Sequence, residues 1–278
     1  MQLTTDGTLR LSPSDLGNHL ACAHLTQLEM RVLRGELARP HLEDPYGSII
    51  REKGNEHERA YLARLEAAGL RIARMPAYEE SAIGSEERRR LTEEAIRTGE
   101  ADVIYQAYLS DGTWRGFADF LERLPDGTHE PVDTKLARSA KPLHLLQLCF
   151  YAEQLERIQG RLPEHLHVEL GTGERETFRT ADFISFYRRS RERFLAAAGE
   201  GVRPVGSDPR LQTYPGPCDP CGICDVRKMC GEQLRADDNL VLVAGLGRRY
   251  AEPLVAAGIP TLEALGDAAP ETRADGIR

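Results

Sequence analysis

Apolar residues recur at helical spacing in the first third of the chain, which is typical of helices with one buried face. The pattern predicts a helix over 12–33, with Ser12 or Ser14 as its N-cap. It predicts a second helix from about Ile49 to Glu66 and a third, charged helix from near Ser85.

Beyond residue 100 the period changes to that of β-strands. Residues 101–138 combine β-branched and aromatic residues with turn signals at 111–112 and 125–127, which predicts a three-stranded meander. The remaining predicted elements are a helix over 142–158, a strand over 165–170 and a helix over 181–197. This order of elements predicts an α/β fold with a sheet core and a helical cover.

Charge and length narrow the class of protein. The 278 residues include 36 basic and 44 acidic side chains, and the net charge of −8 argues against a protein that coats DNA non-specifically. No stretch approaches the roughly 20 apolar residues of a membrane span. The N-terminus has no basic start followed by an apolar run, so we expect no signal peptide, a cytoplasmic location and no membrane partner.

The cysteines point to a metal site. Four of the six lie between 218 and 230 with the spacing C-x2-C-x2-C-x5-C. Such a group binds a metal more often than it forms disulfides in a cytosolic protein. Four thiolates suit zinc, and they also suit an iron–sulfur cluster, so the spacing leaves the metal open. The six cysteines are Cys22, Cys149, Cys218, Cys221, Cys224 and Cys230.

The turn at 125–127 sets the register of the hairpin around it. Pro-Asp-Gly favours a three-residue loop with glycine in a left-handed conformation, which pairs Leu124 with Thr128. Counting back along both strands, Asp119 falls opposite Asp133 on the same face of the sheet. A two-residue loop would instead put Asp119 on the other face.

Two carboxylates opposite each other repel, and a divalent cation would neutralise them. Lys135 shares their face, so the predicted set is two acids, a cation site and an ammonium group. These groups suit hydrolysis of a phosphodiester. By pattern alone, a surface strand with a salt bridge between Asp133 and Lys135 explains the tripeptide at least as well.

An ordered set of motifs resembles a known family. The chain resembles the PD-(D/E)xK nuclease superfamily, in its RecB-like branch with an iron–sulfur cluster, which is related to the CRISPR-associated RecB-type exonucleases. The resemblance covers residues 11–245. The motifs that carry it are LSPSDLGNHLACAHL, GNEHERAYL, GFADFLERL, EPVDTKLAR, QLCFY and the late C-x2-C-x5-C.

The resemblance implies a restriction-endonuclease-like core, with a mixed central sheet flanked by helices, and a Mg²⁺ or Mn²⁺ site within it. The implied metal ligands are His57, Asp119, Asp133 and the main-chain carbonyl of Thr134. Lys135 would position the attacking water, and Gln147 and Tyr151 would orient Lys135 or the DNA. Without the family, His57 is more often a packed histidine, and Gln147 and Tyr151 are ordinary polar residues at a helix edge.

The resemblance also implies a [4Fe–4S] cluster, with zinc as the alternative. Its ligands would be Cys22, Cys221, Cys224 and Cys230. Two features depart from the family pattern. Cys218 is an additional cysteine that could replace Cys22 and make the site local, and Asp133 stands where many relatives have glutamate.

We expect a nuclease domain over 1–236, whose cysteine-ligated helical subdomain is formed by about 11–35 and 210–236. Residues 237–278 resemble a helix-hairpin-helix element, and relatives of such chains often continue into a further domain. A plain helical pair packed on the core explains this segment equally well. The predicted DNA-binding residues are Arg188, Arg189, Gly245, Gly247 and Arg248.

The sequence thus predicts a metal-dependent DNA nuclease that acts on single-stranded DNA or DNA ends, more as an exonuclease than as an endonuclease. The implied setting is DNA repair and recombination or CRISPR adaptation, with a helicase or a CRISPR integrase as partner. The first alternative is a non-catalytic iron–sulfur adaptor that binds DNA. The second is a zinc-stabilised protein that binds or cleaves RNA.

Overall fold

The computed structural model describes residues 1–4, 7–40, 47–76, 83–199 and 213–268. The chain divides into two compact units. Unit 1 comprises Met1–Gly17 and Asp44–Ala196, and unit 2 comprises Asn18–Glu43 and Ala197–Arg278. The predicted boundary at 236 stays a prediction, as does the separate status of the segment after it.

Unit 1 contains a six-stranded mixed sheet in the order β3-β4-β5-β6-β7-β8. Two pairs, β3 with β4 and β6 with β7, are parallel, and the other neighbours are antiparallel. A separate two-stranded antiparallel pair is formed by β1 and β2. The strands are β1 (Gln2–Leu3), β2 (Leu9–Arg10), β3 (Ile72–Arg74), β4 (Val103–Ser110), β5 (Arg115–Arg123), β6 (His129–Lys135), β7 (His165–Leu170) and β8 (Arg175–Arg179).

Helices flank this sheet, so the fold is mixed α/β with a mixed central sheet, as predicted. The predicted meander and the strand over 165–170 are confirmed. The helices are α1 (Pro13–Ala21), α2 (Ala23–Leu33), α3 (Gly47–Ala67), α4 (Ser85–Thr98), α5 (Pro142–Gln159), α6 (Ile184–Gly199), α7 (Arg227–Ala236), α8 (Arg248–Ala256) and α9 (Leu262–Asp267). None of the helices in the described part of the chain has the length and apolarity to cross a membrane.

The prediction of a single helix over 12–33 is wrong, because the helix is interrupted at Cys22. This residue is extended, with φ −155° and ψ 98°, and α2 starts directly after it. The apolar stripe could not reveal the break, because periodicity averages over several turns and a one-residue interruption barely shifts it. The break places a cysteine at the junction of two helices.

The core of unit 1 fixes α3 against the sheet. Tyr61 and Leu62 of α3 pack with Phe120 of β5 and Val132 of β6, and all four are buried. The rings of Tyr61 and Phe120 meet edge to face at 4.8 Å. Because residues three apart share a helix face, this contact also directs the preceding turn of α3 toward the sheet.

In unit 2 the C-terminal helices have their own small core, formed by Leu240, Ala251, Leu254 and Ile259. A three-residue 3-10 helix, Leu240–Leu242, precedes the predicted hairpin, and α8 begins at Arg248. Gly245 lies in that hairpin with φ +81°, a conformation that glycine adopts without strain. The end of the predicted segment, 269–278, lies outside the described residues.

Candidate active site

The hairpin has the predicted register. The Leu124 amide donates to the Thr128 carbonyl at 2.7 Å, and Gly127 takes a φ of +87°. The Asp126 side chain accepts from the Thr128 amide at 3.0 Å, which fixes the loop. The ladder runs through Phe120 opposite Val132, so the next residues on each strand are the two predicted acids.

The ladder opens just beyond that pair. The amide of Thr134 donates not to a carbonyl but to Oδ2 of Asp119, at 2.8 Å, and the Thr134 hydroxyl donates to the same oxygen. On β5 the carbonyl of Phe117 accepts from the Tyr151 hydroxyl at 2.6 Å. Side chains therefore replace main-chain partners, and the strands can separate around the acidic pair without leaving these polar groups unpaired.

Asp133 is completely buried in this opening. Burial and the charge of Asp119 raise its pKa to about 7, against the opposing effect of Lys135. The Lys135 Nζ lies 2.6 Å from Oδ2, which is an ion-pair distance. The contact lacks hydrogen-bond geometry, so Oδ2 accepts no hydrogen bond from the described residues.

Lys135 remains protonated although it is largely enclosed. Burial lowers its pKa, but the charges of Asp133 and Asp119 outweigh burial and hold the pKa above the ordinary lysine value. The predicted convergence of two carboxylates and one ammonium is therefore present in unit 1. A surface salt bridge does not describe this arrangement, because Asp133 is not exposed.

The sequence analysis missed a third carboxylate, Glu58 of α3. Burial raises its pKa first, and the charge of Asp119 raises it further. Gln106 Nε2 donates to Glu58 Oε1. Gln106 adopts φ 57°, which costs a residue other than glycine about 1–3 kcal/mol. The available sequence signal was its position three residues before Tyr61, on the face of α3 that packs on the sheet.

His57 contacts the sheet beside the site. Its Nε2 lies 3.2 Å from the main-chain carbonyl of Glu169 on β7. Glu169 pairs with Thr134 in the parallel β6–β7 ladder. The imidazole therefore lies against the strand next to the acids, with one ring nitrogen at the Glu169 carbonyl, and its role as a metal ligand stays a prediction.

Gln147 and Tyr151 of α5 form a chain of hydrogen bonds that ends at Asp133. Gln147 Nε2 lies 2.9 Å from the Tyr151 hydroxyl and 3.3 Å from Oδ1 of Asp133. Tyr151 is buried, and its hydroxyl is directed at the Phe117 carbonyl. These contacts orient Asp133 and β5 rather than Lys135, so the two side chains act on the carboxylate and the open strand.

The arginines predicted to bind DNA differ in their surroundings. Arg188 pairs with Glu153 at 3.1 Å and with Glu156 at 2.6 Å, while Arg189 is exposed. In unit 2, Arg248 Nη2 lies 3.3 Å from the Tyr214 carbonyl. The charge of Arg188 is locally neutralised, and DNA contact by any of the three stays a prediction.

Five cysteines line one largely apolar cavity of about 190 Å³ in unit 2. The Sγ atoms of Cys218 and Cys221 are 3.4 Å apart. Burial raises the pKa of the Cys218 thiol to about 12 and that of Cys230 to about 11. A metal would have to displace these protons. The five are Cys22, Cys218, Cys221, Cys224 and Cys230.

Cys22 lies among the other thiols. Its charge contributes to the raised pKa values of Cys218, Cys224 and Cys230. The sixth cysteine, Cys149, is buried in α5 of unit 1. Over the described ranges, no three or more His, Cys, Asp or Glu side chains have the geometry of a ready-made metal site.

No family model matches the chain, and no curated protein matches it significantly.

Proposed function

We propose that the protein is a metal-dependent DNA nuclease with a restriction-endonuclease-like core, acting on single-stranded DNA or DNA ends as an exonuclease. The observation that carries this proposal is the buried Asp133, with Asp119 beside it and Lys135 at 2.6 Å from its Oδ2. A buried acid cluster with an adjacent ammonium is costly to maintain for stability alone. It is well suited to holding a cation next to a phosphate.

The donor set fits a hard cation. Asp119, Asp133 and Glu58 supply carboxylate oxygens, and Oδ2 of Asp133 is a buried atom without a hydrogen bond from the described residues. Oxygen ligands of this kind suit Mg²⁺ or Mn²⁺. Bound there, such an ion supplies Lewis-acid activation of the phosphate and of the attacking water.

The residues of the chain do the remaining work. Lys135 holds the water and stabilises the charge that develops on the phosphate. Gln147 keeps the Asp133 carboxylate oriented, and Tyr151 holds β5 in its open position. The water would attack the phosphorus directly, the P–O bond to the departing sugar oxygen would break, and one proton of the water would pass to that oxygen through solvent, so no covalent enzyme intermediate would form.

The cysteine cavity fits a structural [4Fe–4S] cluster held by Cys22, Cys221, Cys224 and Cys230. The cavity has a mostly apolar lining, and its cysteines come from the two sequence segments that make up unit 2. Most of unit 1 lies between these segments in the sequence. Cross-linking such distant segments stabilises a fold by restricting its unfolded chain. Zinc on four of the thiols is the alternative.

The test is digestion of end-labelled single- and double-stranded DNA with Mg²⁺ or Mn²⁺. We expect cleavage by the parent protein and its loss in Lys135→Ala. Lys53→Ala is the matched control, because Lys53 is exposed and pairs only with Glu56 among the described residues. Cleavage by K135A at the parental rate contradicts the proposed site. A parent that binds DNA but never cleaves it supports the adaptor alternative.

A further inference from the structure

Unit 1 contains a cavity of about 370 Å³ where β5 begins, and arginines from four elements line it. Its size is at the lower end of the range for small-molecule sites, about 300–1,000 Å³. The four are Arg10 of β2, Arg89 of α4, Arg115 of β5 and Arg157 of α5.

The backbone holds two of these arginines close to each other. Leu11 and Trp114 form an isolated parallel bridge. The Arg115 amide donates to the Leu11 carbonyl at 2.9 Å, and the Leu11 amide donates to the Thr113 carbonyl at 2.8 Å. Arg10 and Arg115 are each adjacent in sequence to one of the two bridged residues, and their side chains line the same cavity.

The other two arginines are compensated by acids. Arg89 pairs with Glu86 and, at 2.6 Å, with Glu93. Arg157 pairs with Glu93 at 3.3 Å and donates to the Ser110 carbonyl at 3.0 Å. Arg157 therefore ties α5 to α4 and to the end of β4, whereas both pairs of Arg89 lie within α4.

Arg10 and Arg115 have no such compensation. The Arg115 guanidinium donates to the neutral side-chain oxygen of Gln2, and the Arg10 guanidinium has no partner among the described residues. Two acids also line the cavity. Asp111 accepts from the Thr113 and Trp114 amides, at 3.1 and 2.7 Å, and Glu86 pairs with Arg89. Two guanidinium groups therefore line one cavity without a described ion pair to a carboxylate, and an anion would complement their charge.

We infer that this cavity binds a phosphate group through Arg10 and Arg115. Guanidinium groups match phosphate oxygens with paired hydrogen bonds, which a simple point charge does not. Arg115 precedes Asp119 by four residues on β5, which is about 13 Å along a strand. A strand of a few nucleotides spans that length, so the nucleic-acid form of the inference rests on the proposed nuclease function. Phosphate binding itself does not.

The test measures binding to the full chain without Mg²⁺ or Mn²⁺, so that cleavage is not required. The probes are a short single-stranded oligonucleotide with a 5′-phosphate, the same oligonucleotide with a 5′-hydroxyl, and inorganic phosphate. We expect Arg10→Gln to weaken binding about tenfold, and Arg10→Gln/Arg115→Gln to weaken it further. The slope of log affinity against log salt should fall by about 0.7 for each phosphate that the variant no longer neutralises.

Two further variants separate phosphate recognition from general effects. Arg10→Lys/Arg115→Lys keeps both charges but loses the paired hydrogen bonds of the guanidinium groups, so it should bind more weakly than the parent and more tightly than Arg10→Gln/Arg115→Gln. Arg90→Gln/Arg161→Gln removes the same charge from exposed pairs with Glu87 and Asp126, and should bind like the parent. Because the Arg10 side chain makes no hydrogen bond or ion pair with the described residues, Arg10→Gln should also keep the parental melting temperature.

The pattern across probes identifies the source of the phosphate. If R10Q/R115Q no longer prefers the 5′-phosphorylated oligonucleotide, the site binds a terminal phosphate. If the variant loses affinity equally for both oligonucleotides, the site binds an internal phosphate. If it loses affinity for inorganic phosphate alone, the site binds the free ion. Parental binding of all three probes by R10Q/R115Q, or equal loss in R90Q/R161Q, overturns the inference. A parent that never cleaves DNA but shows one of the first three patterns contradicts the nuclease and supports the phosphate site.

Discussion

The main-chain amide of Thr134 donates to Oδ2 of Asp119 at 2.8 Å. In an unbroken antiparallel ladder this amide would face a carbonyl of β5. The Asp119 side chain takes that place, so one carboxylate oxygen ties the two strands together where they separate. The opening that contains Asp133 is therefore stabilised by one of the acids of the site itself.

Tyr151→Phe should destabilise the protein by about 0.5–1.5 kcal/mol, because it removes the hydrogen bond that the buried Tyr151 hydroxyl donates to the Phe117 carbonyl. It should also lower kcat about 10- to 100-fold, since β5 and Gln147 shift beside Asp133. Denaturant unfolding and DNA cleavage measure the two effects. Tyr250→Phe is the control, because Tyr250 is 51% exposed. Parental kcat in Y151F contradicts the positioning role of Tyr151.

Added Mg²⁺ should raise the melting temperature more at pH 8 than at pH 5.5. The folded-state pKa of Asp133 is raised to about 7, above the ordinary 3.8, so its contribution to stability is lost as pH rises from 3.8 through 7. A cation offsets that loss where the carboxylate is ionised, whereas at pH 5.5 protons compete with it. Asp133→Asn should abolish the difference between the two pH values, as followed by thermal melting. A shift in the parent that does not depend on pH would sink this assignment.

Glu58→Gln should raise the Mg²⁺ concentration that gives half-maximal cleavage by about tenfold, because it removes one carboxylate from the donor set. The metal-free protein should become more stable at pH 8, since the pKa of Glu58 is raised by burial and by Asp119 and its ionised form is disfavoured. Metal titration and thermal melting test both effects. Glu94→Gln, at an exposed position of α4, should change neither. An unchanged metal requirement in E58Q excludes Glu58 from the site.

His129 should make the protein sensitive to mild acid. It is completely buried on β6, and neither ring nitrogen has a hydrogen-bond partner among the described residues. Burial, and then the charge of Arg123, lower its pKa from 6.5 to about 4. Its contribution is therefore present above pH 6.5 and is lost as pH falls toward 4, by up to about 3 kcal/mol.

His129→Leu removes this dependence. Urea unfolding from pH 4 to pH 7 measures the unfolding free energy of H129L and of the parent. As the pH falls, H129L should become more stable relative to the parent. Because the Asp133 contribution is common to both proteins, it cancels in the difference between their unfolding free energies. A difference that stays constant across the range contradicts the neutral, buried state of His129.

Cys22→Ser should lose the cluster, whereas Cys218→Ser should keep about four iron atoms per chain after anaerobic purification. The reason is that Cys22 lies at the junction of α1 and α2 and lines the cavity with the late cysteines, whereas Cys218 stands outside the C-x2-C-x5-C spacing. Iron and acid-labile sulfide analysis measures the result. The reverse outcome assigns Cys218 as the fourth ligand, and one zinc per chain without sulfide replaces the cluster by zinc.

The predictable part of the site is local in sequence. The loop at 125–127 sets the hairpin register through hydrogen bonds within a few residues, so the relation of Asp119 to Asp133 follows from turn chemistry alone. Strong periodicity likewise located α3, α5 and the meander. Period two along β6 also put Lys135 on the side of Asp133.

Other features depended on contacts between distant segments. The strands β3 and β8 were not predicted, because β3 has only three residues and β8 alternates between exposed and half-buried side chains without a strong apolar signal. Glu58 joins the acids only because Tyr61 packs on Phe120, far away in sequence. The arginine cavity likewise depends on the bridge between Leu11 and Trp114.

Local patterns account for most helices, the hairpin register and the proximity of Asp119, Asp133 and Lys135, because turns and alternation act over a few residues. The burial of Asp133, the addition of Glu58 from α3 and the interruption of the first helix at Cys22 were visible only in the folded chain. Burial and long-range pairing depend on how whole elements pack, and packing is a property of the assembled chain rather than of any local pattern.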